Sequence, residues 1–195
     1  MTNILLCGVG GQGSILASKL IALAAMNRKL KVRSAETIGM AQRGGSVVSH
    51  VRIGSEIWSP MIPRGQADLI LAFEPGEALR NIDFLKEDGC LVTCAQSVMP
   101  VTASLGMGHY NQADTVSYLK KHAGNLYVVD GEAICRTLGS PKVLNTALLG
   151  AAVRSGKLGF TLQDLEKALK MRLPEKLHRM NIEAMKLGYE TERAV

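Results

Sequence analysis

Aromatic residues are scarce in this chain: one Trp, four Tyr and three Phe, or 4% of the residues. Lys and Arg are scattered, with no dense basic run. These two absences argue against a nucleic-acid-binding module, which stacks bases on aromatic rings and follows the backbone with a basic stripe. Cysteine is limited to Cys7, Cys90, Cys94 and Cys135. That number is too small for a disulfide framework in 195 residues. Cys90 and Cys94 lack a Cys or His pair nearby, which argues against zinc and iron–sulfur ligation. The four read as small buried residues in a reducing cytoplasm. Lys19 interrupts the one long apolar stretch, and no basic segment precedes it. No membrane or secretory segment is therefore expected, and the expected location is cytoplasmic.

Signatures of catalysis are missing too. No GxSxG turn is present, and the four histidines form no metal-ligand pair. His50 stands on an alternating segment and reads as a face-lining residue. His109 lies in a glycine-rich loop, Gly106-Met107-Gly108-His109. No residue is assigned a proton-transfer role.

Charge is present, and it is unevenly placed. The net charge is +6, and residues 1–54, with seven Lys/Arg and the single acid Glu36, account for all of it. The excess fits either local complementarity to a phosphorylated cofactor or an acidic partner surface.

Hydrophobic patterning gives an α/β chain. Asn3–Cys7 is a buried strand, Ser14–Asn27 a helix with Leu16, Leu20, Leu23 and Ala24 on one face, and Lys31–Ala35 a second strand. That is a Rossmann-like βαβ start. Val47–Ile53 alternates, with Val47, Ser49, Val51 and Ile53 on one side. Gly54-Ser55 then predicts a hairpin into Glu56-Ile57-Trp58, which makes the sheet mixed. Further strands are expected at 68–73, 90–95 and 126–129, with helices at 74–85 and 113–122. Residues 142–195 read as helical. There Thr161 and Asp164 form a capping box, Pro174 ends one helix and Gly188 stops the last. The expected architecture is one three-layer domain spanning residues 1–195, with a helical C-terminal third.

Two segments carry binding chemistry. Gly8-Val9-Gly10-Gly11-Gln12-Gly13 follows a strand and opens a helix, with Glu36 ending the next strand. Glycines let backbone N–H groups approach an anion, and the helix N-terminus adds partial positive charge. Ser14 stands where a phosphate-binding P-loop would have lysine. A dinucleotide, another phosphorylated ligand and a tight turn without ligand all remain open. Glu36 would favour NAD over its 2′-phosphorylated form. The second segment runs from Glu36 to Ser46. In it Gln42, Arg43 and Ser46 can meet a carboxylate or phosphate, Arg43 with a planar fork.

These motifs, with Ser59-Pro60-Met61-Ile62-Pro63, Ala67-Asp68, Phe73-Glu74-Pro75, Glu77-Ala78-Leu79-Arg80, Asn145 and Leu149-Gly150, resemble the gamma-type subunit of 2-oxoacid:ferredoxin oxidoreductases. The likeness is strongest to the small (beta) subunit of the indolepyruvate type. It covers essentially the whole chain, and residues 40–49 are its most specific part. The resemblance implies oxidative decarboxylation of an aryl pyruvate to an acyl-CoA, with electrons passed to ferredoxin. It implies a large partner subunit carrying thiamine diphosphate and iron–sulfur clusters. No cofactor is expected to bind tightly to this chain, and it is expected to be inactive alone. Coenzyme A would occupy a shared site with Gly10, Gly11, Gln12, Gly13 and Ser14 as its phosphate cradle. Gln42, Arg43 and Ser46 would line that site or the subunit interface. The resemblance predicts a large apolar surface that the complex covers; the nine methionines and the exposed-looking Trp58–Pro63 segment suit it, with core packing as the default explanation. A free-standing NAD-binding protein or small reductase is the alternative reading.

Overall fold

The computed structural model describes residues 1–36, 44–98 and 111–195. In chain order the elements are β1 (Thr2–Val9), α1 (Ser14–Asn27), β2 (Val32–Glu36), β3 (Ser46–Ile53), β4 (Ala67–Ala72), α2 (Pro75–Asn81) and β5 (Leu85–Cys94). They continue with α3 (Gln112–His122), β6 (Leu126–Val129), α4 (Gly131–Leu138), α5 (Leu144–Arg154), α6 (Leu162–Arg172) and α7 (His178–Tyr189). Short 3₁₀ turns cover Ile82–Phe84, Pro141–Val143 and Glu175–Leu177. Among the described residues no helix is long and apolar enough to cross a membrane.

The strands form one six-stranded sheet in the order β2-β3-β1-β4-β5-β6. β1, β4, β5 and β6 run parallel, and β3 runs antiparallel to both β1 and β2. The sheet is therefore mixed, as expected, but its antiparallel element is arranged differently. Residues 56–58 form no strand. Instead β3 inserts between β1 and β2, so the strand after α1 is not β1's neighbour. The β1-α1-β2 start is split by one strand.

Helices cover both faces. On one side α1 and α5 pack on the sheet through Leu20, Ile21 and Leu149, and α6 packs against α1 with Leu165 in the same core. Fully burying such a side chain stabilises by about 1.5–3 kcal/mol. On the other side α2 and α3 pack through Ala78, Leu119 and Ala123 onto Leu5, Ile70 and Leu91. The alternation in β3 follows this division, with Val51 and Ile53 against α1 and Val48 on the opposite face.

The C-terminal part departs from the expectation in three places. α4 precedes residue 142, and a small third cluster joins Val143 and Ala147 to Ala184 of α7. Gly188 lies inside α7 and ends nothing. A Cβ there would overlap the Ala147 carbonyl oxygen, and one on Gly150 would overlap that of Met185. These glycines let α5 and α7 touch backbone to backbone. Residues 190–195 are not helical. Arg193 bridges Tyr127, and Ala194 donates its N–H to the Leu126 carbonyl at 2.7 Å, so the tail covers the β6 edge. The Thr161–Asp164 capping box is present with both bonds.

Candidate functional site

The chain leaves β1 for a helix on one face of the sheet and leaves β4 for a helix on the other. β1 and β4 are adjacent and parallel. The crevice outside their carboxyl ends is therefore the topological switch point, where open α/β sheets bind ligands. The glycine loop forms one wall, and Phe73, Glu74 and α2 form the other.

The loop's glycines have distinct roles. A Cβ on Gly8 would stand 2.8 Å from both Phe73 Cβ and Gln12 Oε1, and one on Gly13 would stand 2.6 Å from Asn145 Nδ2. Gly11 and Gly13 have φ of 103° and 88°, which L side chains rarely adopt. Gly11 alone of these faces open space. Gly13 is the N-cap of α1 and has no side chain to cap the first N–H groups, and the first turn holds no acid. The backbone amides at the start of α1 thus keep the anion-binding character of a helix N-terminus.

Other predicted contacts are engaged within the chain. Gly10 donates its N–H to Gly45 O at 2.8 Å and accepts from Gly44 N at 3.3 Å. Its amide braces the Gly44-Gly45 turn against the loop instead of facing the crevice. Gln12 accepts from Val9 N at 2.7 Å and donates to Phe73 O at 3.2 Å, so its side chain ties the loop to the end of β4. The Ser46 hydroxyl donates to Glu77 Oε2 at 2.5 Å. Ser14 is buried in the first turn of α1. Gln42, Arg43 and the His109 loop lie outside the described residues.

The crevice also holds residues that the chemical reading of the sequence did not single out. Glu74 caps α2 by accepting from Glu77 N at 2.9 Å. Glu77 bonds Ser46 through one oxygen and Arg80 Nε through the other at 3.1 Å. Both carboxylates are buried. The signal in sequence was Pro75 after Glu74, since glutamate before an N1 proline marks a helix start. Beneath them the Cys7 thiol is pushed well up from its ordinary range, first by burial and then by Glu77 and Glu74. That makes Cys7 an inert core residue. His50 is structural as well. Its Nδ1 accepts from Ile62 N at 3.2 Å, and its ring meets Phe84 edge-on at 5.9 Å.

A dinucleotide reading needs Glu36 beside the loop. The insertion of β3 moves Glu36 one strand outward, and its carboxylate accepts the Ser18 hydroxyl proton at 2.8 Å. A cavity of about 300 Å³ lies there, lined by Ser18, Lys19, Ala22, Ser34 and Glu36. The geometry gives no support to the standard NAD arrangement.

Most of the excess cations are also remote from the loop. Arg28, Lys29, Lys31, Arg33 and Arg52 gather at the other end of α1 and of β1, where Val32 and Thr2 both pair with Ile53. A helix of 14 residues puts about 20 Å between them and the glycine loop. Among the described residues this charge does not surround the crevice.

Comparison with known proteins agrees with the sequence resemblance. The family model for pyruvate ferredoxin/flavodoxin oxidoreductase matches residues 3–191. The chain is 34% identical over 193 residues to indolepyruvate oxidoreductase subunit IorB of Thermococcus kodakarensis, covering 98% of this chain and 96% of that one. It is 37% identical over 188 residues to the same subunit of Archaeoglobus fulgidus, covering 96% and 93%. The fold matches pyruvate oxidoreductase subunit PORC of Thermotoga maritima with a TM-score of 0.73 at 24% identity, over 100% of this chain and 98% of that one. It also matches part of a 2-oxoglutarate:ferredoxin oxidoreductase from Magnetococcus marinus solved with 2-oxoglutarate, coenzyme A and succinyl-CoA. There the TM-score is 0.68 at 20% identity, over 96% of this chain and 30% of that one. By its motifs, its fold and these likenesses, the chain belongs to the pyruvate ferredoxin/flavodoxin oxidoreductase family.

Proposed function

We propose that this chain is the small, gamma-type subunit of a 2-oxoacid:ferredoxin oxidoreductase that converts an aryl pyruvate such as indolepyruvate to its acyl-CoA. In this reading a larger chain supplies thiamine diphosphate and the iron–sulfur clusters, and ferredoxin takes the electrons. The small chain packs on the thiamine-bearing portion and helps receive coenzyme A. Its contribution is positioning and electrostatics, because the bond-breaking chemistry belongs to the thiamine cofactor.

The observation that carries the proposal is the opening at Gly11 above the uncapped N-terminus of α1. Gly11, Gly13 and Ser14 present backbone amides to a phosphate there, and the helix dipole favours its negative charge. Gly10 and Gln12 hold the loop in shape. The resemblance adds Gln42 and Arg43 to the site as polar partners for the phosphate or the larger chain. Ser46 joins them only if ligand binding draws its hydroxyl from Glu77.

Calorimetry on the large chain, with and without this subunit, tests the reading. Coenzyme A should bind the assembled complex more tightly than the large chain alone, dephospho-coenzyme A should report which phosphate matters, and NAD should give no heat. Equal affinity of coenzyme A for the large chain alone and for the complex would remove the binding role.

A further inference from the structure

The protein's single Trp, Trp58, is 91% exposed. It lines a groove of about 580 Å³ with Met26, Leu30, Val32 and Ile57. Met26 is 60% and Leu30 41% exposed. The segment that presents Trp58 is held at both ends. Arg33 Nε donates to Ile57 O at 2.8 Å, and Arg52 Nη1 donates to Ser59 O at 3.0 Å and to Met61 O at 3.2 Å. A backbone held on both sides of Trp58 loses little freedom on binding, and tryptophan is enriched at interface hot spots.

The groove's surroundings narrow the occupant. It lies at the end of α1 where the excess positive charge gathers, lined by Lys31 and Arg33 with Glu56 as its lining acid. It also adjoins β2, which in the described residues is an edge of the sheet with no strand beyond it. The opposite edge, β6, is covered by the chain's own tail. A second copy would bring the same net positive rim, Lys31 and Arg33 against the single acid Glu56, to the contact, and surfaces of like sign disfavour association. An acidic rim around an apolar centre complements the groove.

We infer that the Trp58 groove is the docking surface for the large subunit, and that it receives an apolar projection flanked by Asp or Glu. This rests on the proposed subunit role, and it assigns the groove's own cations, Lys31 and Arg33, to partner recognition. The glycine loop, at the other end of α1, stays available for ligand.

The test uses the full chain and the thiamine diphosphate-bearing large chain from the same organism. The small chain is labelled with 5-fluorotryptophan, which gives one ¹⁹F resonance. Addition of the large chain should shift that resonance and remove its H₂O/D₂O solvent isotope shift. Trp58→Ala should weaken association at least tenfold. Lys31→Glu, which leaves the Arg33 anchor in place, should weaken it and flatten its salt dependence. Tyr118→Ser, on the exposed side of α3 on the opposite face of the sheet, should leave it unchanged, with circular dichroism confirming that each variant folds. If the complex forms with unchanged affinity in the Trp58 and charge-reversal variants, the docking surface is elsewhere and the subunit role stands. If the unaltered chains do not associate, the subunit role fails and the inference with it. If the chain self-associates alone and Trp58→Ala abolishes that, the occupant is a second copy and the inference is overturned.

Discussion

Gly13 lies against Asn145: a Cβ on the glycine would stand 2.6 Å from the asparagine Nδ2. The glycine loop is thus pinned to the start of α5, and its shape is part of the core. Asn145 is buried and its Oδ1 accepts from Thr146 N at 2.8 Å, so it cannot easily move away. Gly11 has a positive φ but open space. Gly11→Ala should therefore destabilise by about 1 kcal/mol through backbone strain alone. Gly13→Ala should lose about 1–3 kcal/mol more by overpacking. Urea denaturation of both variants checks the order.

The Ser46–Glu77 bond joins β3 to α2 across the mouth of the crevice. Ser46→Ala leaves the buried Glu77 carboxylate without that donor and should cost about 1–3 kcal/mol. Ser46→Ala and Glu77→Ala in combination should cost less than the sum of the singles, because the bond is lost once. A double-mutant cycle by denaturation measures the coupling, and additive costs would show that the bond contributes nothing.

Asp164 couples folding to acid. Its carboxylate accepts the Thr161 N–H at 2.9 Å, and that bond is the leading reason its pKa falls below the ordinary 3.8. A depressed folded-state pKa contributes stability that is present above 3.8 and lost as the pH falls through the folded value. Asp164→Asn should therefore lower stability at neutral pH by about 1 kcal/mol, the scale of a helix cap, and the gap should close in strong acid. Thermal melts across acid pH check it.

His50 acts nearer neutrality. Burial lowers its pKa from 6.5, and Nδ1 already accepts the Ile62 N–H, so the ring is held neutral. The unfolded chain then takes up a proton before the folded one does, so stability falls as the pH drops below 6.5. His50→Phe keeps a ring against Phe84 and removes the titration. Its stability should lack that acid-side decline while losing the Ile62 bond at every pH.

Much of the fold was legible because it rests on local patterns. The β3 alternation, the buried β6 run at Leu126–Val129 and the Thr161 capping box all appear where the residues put them. Strand order was not legible. Nothing in Val47–Ile53 says that it slots between β1 and β2, because pairing partners are chosen by packing of distant segments. Gly188 was misread for a related reason. A glycine near a helix end has the same local signal whether it stops the helix or admits a neighbour, and only the α5 contact distinguishes them. At the site, the glycine loop and its helix were legible. The commitment of Gly10 to Gly45 and of Ser46 to Glu77 was not, since both bonds cross between segments.

In the proposed function, the open backbone at Gly11 receives a phosphate of coenzyme A within the complex. Gly11→Asp and Gly11→Asn carry similar backbone strain and nearly the same shape, so they differ in the charge and donor capacity of one side-chain end. Both should be assembled with the large chain, and 2-oxoacid-dependent ferredoxin reduction measured against coenzyme A concentration. The KM for coenzyme A should be at least tenfold higher in Gly11→Asp than in Gly11→Asn, with the KM for the 2-oxoacid unchanged. Equal KM values for coenzyme A in the two assembled variants would contradict it.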